Sequence, residues 1–206
     1  MPLTTAEGKE AVTLARETLE AHVRGVRPLP PPPDSGVFSQ KRGVFVTLST
    51  VRAGTKALRG CIGYPEPIKP LGRAIREVTV FASEDPRFPV PVSAEELDRI
   101  VVEVSVLTLP RDISAQSRRE LPSKIRLGAD GLIVSNSYAS GLLLPQVATE
   151  QGWDQEAFIS EACAKAGLPM DAWLREGTRV QVFQAEIFTE TSPGGRVERV
   201  EQATQG

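Results

Sequence analysis

The sequence predicts an α+β fold, a mainly antiparallel sheet flanked by helices. Three observations carry that reading. Apolar–polar alternation recurs in short runs separated by glycine-containing turns. Amphipathic helical stretches lie between some of these runs, without the regular strand–helix–strand alternation of a parallel sheet. The composition, 40% hydrophobic and 24% charged over 206 residues, is that of a globular chain. This length suits one domain, or one domain with two lobes.

Residues 5–23 read as the first helix. Thr4 and Glu7 have capping-box spacing, and Ala11, Leu14, Ala15, Leu19 and Val23 form an apolar stripe at helical period. His22, the only histidine, adjoins that stripe. The proline run at 28–33 then reads as a stiff surface spacer. Residues 43–50 form a strand with Val44, Val46 and Leu48 on one face. Ala53-Gly54 is the tip of a turn, and residues 58–63 return as the second strand of a hairpin. Pro65, Pro67 and Pro70 end that strand. A helix follows over 71–82, with Leu71, Ala74, Ile75, Val78 and Phe81 on one face and its N-terminus returning toward Cys61.

Ser93 and Glu96 make a second capping box. Residues 100–109 are the clearest strand, with Glu103 among valines. Arg111, Arg118, Arg119, Lys124 and Arg126 form a loose basic cluster that reads as a solvated face. Residues 124–127 and 132–135 read as short strands around Ala129-Asp130-Gly131, and Pro145 marks a bend. Asp154 caps a helix ending near Ala166, with Cys163 in its apolar stripe and Gly167 as a natural stop. Residues 178–189 read as one long strand, and the polar tail after Thr191 as frayed.

Composition also excludes. A net charge of −2 argues against a general nucleic-acid binder, which would be basic. Cys61 and Cys163 give no zinc spacing and no CxxC pair, and one histidine removes any two-histidine site. No metal and no cofactor is expected. No apolar run approaches a membrane span and no signal peptide is read, so the expected compartment is the reducing cytoplasm.

The unusual chemistry lies in Leu58-Arg59-Gly60-Cys61-Ile62-Gly63. Alternation puts Arg59 and Cys61 on one face, where a guanidinium beside a thiol favours the thiolate. Gly60 and Gly63 flank the cysteine and permit close backbone approach. Asp85 and Arg87, in a proline-bounded loop, either form a local ion pair or line a site. Glu103 either faces water or serves as an acid or base in a cleft. Gln146, beside an apolar run, either satisfies local backbone or projects into a pocket.

Several stretches in order make the chain resemble the AMMECR-one domain family. They are residues 43–48, 58–63, Asp85-Pro86-Arg87-Phe88, 103–107, Gly131-Leu132, 142–147 and 163–168 before Trp173. Together they span a core of about 8–190 within a single domain of 1–206. The resemblance implies two unequal lobes with Leu-Arg-Gly-Cys-Ile-Gly near a cleft between them. It also implies companions, Memo-like and radical SAM proteins, and through them a modification pathway.

Two functions stay open. In one, the protein is a binding domain gripping a small molecule or protein partner with Arg59, Gly60, Gly63, Arg87 and Gln146. In the other, Cys61 is a thiolate nucleophile assisted by Arg59, with Glu103 or Asp85 moving protons.

Overall fold

The computed structural model describes residues 2–26 and 35–200; the 28–33 proline run and residues 201–206 lie outside them. In chain order the elements are α1 (Thr5–Val23), β1 (Val44–Arg52), β2 (Thr55–Tyr64), α2 (Leu71–Ser83), β3 (Ile100–Leu107), β4 (Arg111–Asp112), β5 (Gly131–Ser135), β6 (Ser140–Leu143), α3 (Pro145–Gln151), α4 (Gln155–Lys165), β7 (Arg179–Phe183), β8 (Ala185–Glu190) and β9 (Val197–Val200). They group into two compact units. The first runs to Leu107 and adds Glu186–Val200; the second holds Thr108–Ala185.

The first unit is built on an antiparallel hairpin. Ala53 and Gly54 both take positive φ, 48° and 79°, which is the two-residue turn whose twist suits paired strands. The resulting sheet has the order β2-β1-β3-β8-β9. Val44, Val46 and Leu48 of β1 and Val102, Val104 and Val106 of β3 are fully buried in one core with apolar residues of α1 and α2. Both helices therefore cover one face of the sheet. The other face carries Phe45, Thr47 and Ser49 of β1, each partly buried.

The α1 cap forms as its sequence predicts: the Thr4 hydroxyl accepts the Glu7 amide at 3.2 Å, and the Glu7 carboxylate accepts the Thr4 amide at 2.7 Å. Arg16 adds a polar anchor from α1 to the sheet. Its guanidinium grips the buried Glu190 carboxylate, which also accepts the Val102 amide at 2.9 Å.

Four expectations for this unit need correction. Leu48 pairs with Gly60 but Ser49 pairs with Leu58, so Arg59 is an extra residue in β2. This β-bulge breaks the alternation that would put Arg59 beside Cys61. The α2 N-terminus does not return to Cys61 either. Because α2 runs back along β2, its C-terminal end reaches the motif, and Gly60 packs on the Ala82 carbonyl. On α2 itself, Phe81 is 47% exposed while Ala82 is buried; at 3.6 residues per turn, the buried stripe passes Phe81 by. The tail also differs over 191–200. It turns at Gly194 (φ 65°) and β9 pairs with β8, Glu190 opposite Val197.

The second unit has a sheet of order β4-β7-β5-β6 with α4 in its core. Asp154 caps α4 through the Ala157 amide at 2.8 Å, and Cys163 is fully buried there beside Phe158 and Trp173. The expected strand at 178–189 is two strands in different sheets. Gln184 separates them, and its backbone bonds to Thr108 twice: its amide donates to the Thr108 side-chain Oγ1 at 2.9 Å and its carbonyl accepts the Thr108 amide at 2.8 Å. Residues 124–127 are not a strand. A 3-10 turn, Pro122–Lys124, runs into them, and the buried Asp130 carboxylate accepts the Arg126 amide at 3.0 Å. Pro145 opens α3 at its first position, where its missing N–H costs nothing. Of the expected solvated basic residues, Arg118 is partly buried and donates to the Trp173 carbonyl at 2.7 Å and to the Thr178 carbonyl.

A side chain at position 60 has no room, because its Cβ would overlap the Ala82 carbonyl. Gly60→Ala is expected to destabilise the protein by about 1–3 kcal/mol, the usual cost of overpacking, read as a lower urea midpoint at unchanged slope.

Candidate functional site

Cys61 lies on β2, the edge strand, with its thiol on the sheet face away from α1 and α2. Thr47 stands opposite it on β1, and Glu103 stands opposite Thr47 on β3. Thiol, hydroxyl and carboxylate thus form one row across three strands. The Thr47 hydroxyl donates to Cys61 Sγ at 3.2 Å. All three residues are partly buried. Next along β2, the Phe45 ring lies over Gly63 where a Cβ would otherwise sit.

The open edge at Cys61 is closed by the loop after α2. Asp85, its side chain fully buried, accepts the Cys61 amide at 2.9 Å. It also accepts Arg87 through the backbone amide and Nε, both at 3.0 Å, and Nη2 at 2.6 Å. Arg87 Nη2 then donates to the Cys61 carbonyl at 2.9 Å. Both backbone groups of Cys61 therefore point away from β1, which makes Thr47 and Cys61 a non-hydrogen-bonded pair with close side chains. The Arg87 guanidinium, aided by the two amides, holds the Asp85 carboxyl far below the usual carboxylate range despite burial. The pairing favours the charged carboxylate, the form that anchors both Arg87 and the Cys61 amide.

Arg59 turns from Cys61 to a different carboxylate. Its Nε donates to Glu96 Oε1 at 2.8 Å, its Nη2 to Glu96 Oε2 at 3.1 Å and to the Val90 carbonyl at 2.9 Å. Its guanidinium carbon lies 5.5 Å from the Phe88 ring centroid. Glu96 also accepts the Ser93 amide at 2.9 Å, so one carboxylate caps a 3-10 helix and holds the bulge. Bonding to Arg59 lowers the Glu96 pKa. Arg59 Nη1 is buried with no hydrogen-bond partner among the described residues.

Glu103 behaves in the opposite way. Burial pushes its carboxyl pKa up, opposed by the charge of Lys56, and it takes part in none of the described hydrogen bonds or ion pairs. Of the eight residues singled out by sequence, seven lie in this unit, and Arg59, Gly60, Cys61, Asp85 and Arg87 form one connected group. Gln146 belongs to the second unit, exposed on the first turn of α3. A cavity of about 320 Å³ in that unit, lined by residues including Arg118, Leu121 and Arg179, contains none of the eight. Sequence reading missed Thr47 and Glu96. Glu96 carried a signal in its capping box; Thr47 carried none beyond its place in the hairpin. Among the described residues, no three His, Cys, Asp or Glu side chains gather to hold a metal ion, and no helix is long and apolar enough to cross a membrane.

The family model described as AMMECR1 matches residues 12–188. The chain belongs to the AMMECR1 family. That match takes in both units and agrees with the resemblance carried by the ordered stretches. The chain is 54% identical over 191 residues to a protein of Methanothermobacter thermautotrophicus, covering 92% of this chain and 97% of that one. It is 49% identical over 203 residues to a protein of Thermofilum pendens, covering 95% of each. Among solved structures it is similar to the uncharacterized protein PH0010 of Pyrococcus horikoshii, with a TM-score of 0.75 and 47% identity. That comparison covers 98% of this chain and 99% of the other.

The low Asp85 pKa has a measurable sign. A carboxyl whose folded pKa lies below its unfolded value of about 3.9 adds stability that is fully present above that value and is lost as pH falls through the folded pKa. Asp85→Asn is expected to cost about 2–3 kcal/mol at pH 7, the scale of hydrogen bonds to a charged group. The gap to wild type should narrow as pH drops below about 4. Denaturant unfolding at pH 7, 5 and 3 checks this; a gap independent of pH would contradict it.

Proposed function

We propose that the protein is a ligand- or partner-binding domain whose recognition surface is the sheet face around Cys61. The observation that carries this reading is a pair of arginines, one with a buried unfilled donor and one exposed. Arg59 and Arg87 are each held along one edge by a carboxylate, Glu96 and Asp85 respectively. Among the described residues Arg59 Nη1 is buried with no hydrogen-bond partner, whereas the Arg87 guanidinium is open to solvent. A buried donor without an acceptor costs free energy, and a ligand supplying an anionic or carbonyl oxygen would recover it. Arg87, its side chain 55% exposed, is the accessible anchor. Asp85 fixes its orientation in advance, which limits what binding must order.

On this reading the occupant is a small molecule or a protein. The companions implied by the family resemblance, Memo-like and radical SAM proteins, are the first partners to test, within a modification pathway. A second reading, in which Cys61 acts as a nucleophile, is favoured by the Thr47 hydroxyl donating to its sulfur.

Calorimetric titration of purified Memo-like and radical SAM proteins tests the binding reading. Arg87→Lys keeps the charge opposite Asp85 but removes the free guanidinium edge. It is expected to weaken association at least tenfold, about 1.4 kcal/mol. Tyr138→Ala, at a site 83% exposed in the second unit, should leave affinity unchanged. No association with either protein, or equal weakening by both substitutions, would count against the proposal.

A further inference from the structure

β2 pairs with β1 on one side and with no strand on the other. Exposure changes along it: Thr55 to Leu58 are exposed, whereas Arg59 to Tyr64 are partly or fully buried. Register decides which backbone groups face the open side. Arg52 and Thr55 close the two-residue turn as a hydrogen-bonded pair. Pairs alternate from there, so Lys56, opposite Val51, and Leu58, opposite Ser49, belong to non-hydrogen-bonded pairs. Their amides and carbonyls therefore point outward, as those of Cys61 do beyond the bulge. At Cys61, Asp85 and Arg87 fill these groups and stand where a neighbouring strand would. No described residue bonds to those of Lys56 or Leu58.

An edge lysine and a bulge both discourage unwanted strand pairing. This edge has both, and so disfavours a neutral or basic strand. The same charge favours an acidic one. Lys56, Leu58 and Cys61 share the sheet face away from α2, because Val51, Ser49 and Thr47 alternate opposite them on β1. Leu58 is 48% exposed, and Arg87, 55% exposed, is bonded beside Cys61. Along the edge this face presents a cation, an apolar side chain and a second cation. Nearby carboxylates do not cancel them. Asp85 is buried against Arg87, Glu96 is bound to Arg59, and Glu103 lies two strands in and partly buried. Val90, 64% exposed, adds apolar surface at the bulge, where its carbonyl accepts Arg59.

We propose that β2 takes up an extended acidic segment of a protein partner as an added antiparallel strand. This deepens the binding function proposed above and rests on it, naming a peptide as the occupant. The described pairs of this sheet are antiparallel, and antiparallel pairing is the more stable per residue. The partner residues opposite Lys56 and Leu58 then exchange both backbone bonds with them. Asp85 and Arg87 stop the added strand at Cys61. Side chains of the segment that share the Lys56 face are set by what they meet: an acid at Lys56, an apolar residue at Leu58, and an acid at the Arg87 guanidinium. The segment thus reads acid, any residue, apolar, any residue, acid. Main-chain bonds supply affinity and the alternate side chains supply specificity.

The probe is the peptide acetyl-Glu-Thr-Val-Thr-Glu-amide, and the readout is hydrogen exchange at single amides followed by NMR. In the free protein the Lys56 and Leu58 amides should exchange nearly freely, while Ala57 between them, paired to Thr50, is protected. Saturating peptide should slow exchange at Lys56 and Leu58 by about fivefold or more. N-methylation of the peptide valine removes its donor to Leu58 and should abolish this protection. N-methylation of the first threonine, whose amide faces away, should not. Exchanging both glutamates for lysine, or Lys56→Glu in the protein, should also abolish it. Protection of Lys56 and Leu58 in the free protein would overturn the proposal, because the edge would already be filled. So would no protection by the acidic peptide, equal protection by the lysine peptide, or equal loss from both N-methylations. Association of Memo-like or radical SAM proteins through Arg87, without protection by the peptide, would sink this inference and leave the binding function standing.

Discussion

The buried carboxylate of Asp85 is the constraint on which the candidate site depends. It sits with no exposed side-chain surface against an edge strand and accepts bonds from two partners at once, the Cys61 amide and Arg87. An unpaired edge strand offers free amides and carbonyls to any passing strand. Here Asp85 and Arg87 occupy the edge groups of Cys61, so the strand is blunted where its chemistry lies. The same bonds turn the backbone of Cys61 outward and leave its side chain close to Thr47. Remove Asp85, and the arginine, the edge and the thiol lose their shared reference.

The surrounding structure reinforces that arrangement. Gly60 lets the end of α2 come against β2, which delivers the Asp85 loop to the right place on the strand. Arg59, displaced by the bulge, reaches Glu96 and the Val90 carbonyl and ties down the far end of the same loop. Two arginine–carboxylate pairs therefore pin one loop to one strand. Their energetic weight differs. Asp85 is wholly buried and would be left as an isolated charge without Arg87, whereas Glu96 keeps 25% of its side chain exposed and costs less to unpair.

Much of this was legible in the sequence, and the failures have physical causes. The capping boxes at Thr4 and Ser93 forecast their helices because side-chain capping is local chemistry. The Ala53-Gly54 tip forecast the hairpin. Counting back from that tip with perfect alternation, however, pairs Thr47 with Gly60 instead of Cys61. The bulge at Arg59 shifts the register by one residue, and a one-residue shift decides which face a side chain takes. Nothing in the local pattern announces that bulge; it is set by tertiary partners, Glu96 and the Val90 carbonyl. The strand expected over 178–189 failed similarly. Its alternation is good throughout, but the backbone bonds that Gln184 makes with Thr108 interrupt it. Glu103 was visible as a polar residue among valines, yet its distinction from a solvated carboxylate needed burial, which alternation does not report.

Side chains, not a neighbouring strand, hold the Cys61 backbone on its outer edge. Hydrogen exchange of the Cys61 amide in the native protein tests it most directly. On the edge of a sheet an unbound amide exchanges nearly freely, while a bonded one is protected to the extent that its region resists opening. The account predicts that the Cys61 amide in the wild type is protected like the interior strands β1 and β3, and that Asp85→Asn lowers that protection at Cys61 while leaving β1 and β3 less affected. Free exchange at Cys61 in the wild type would contradict it.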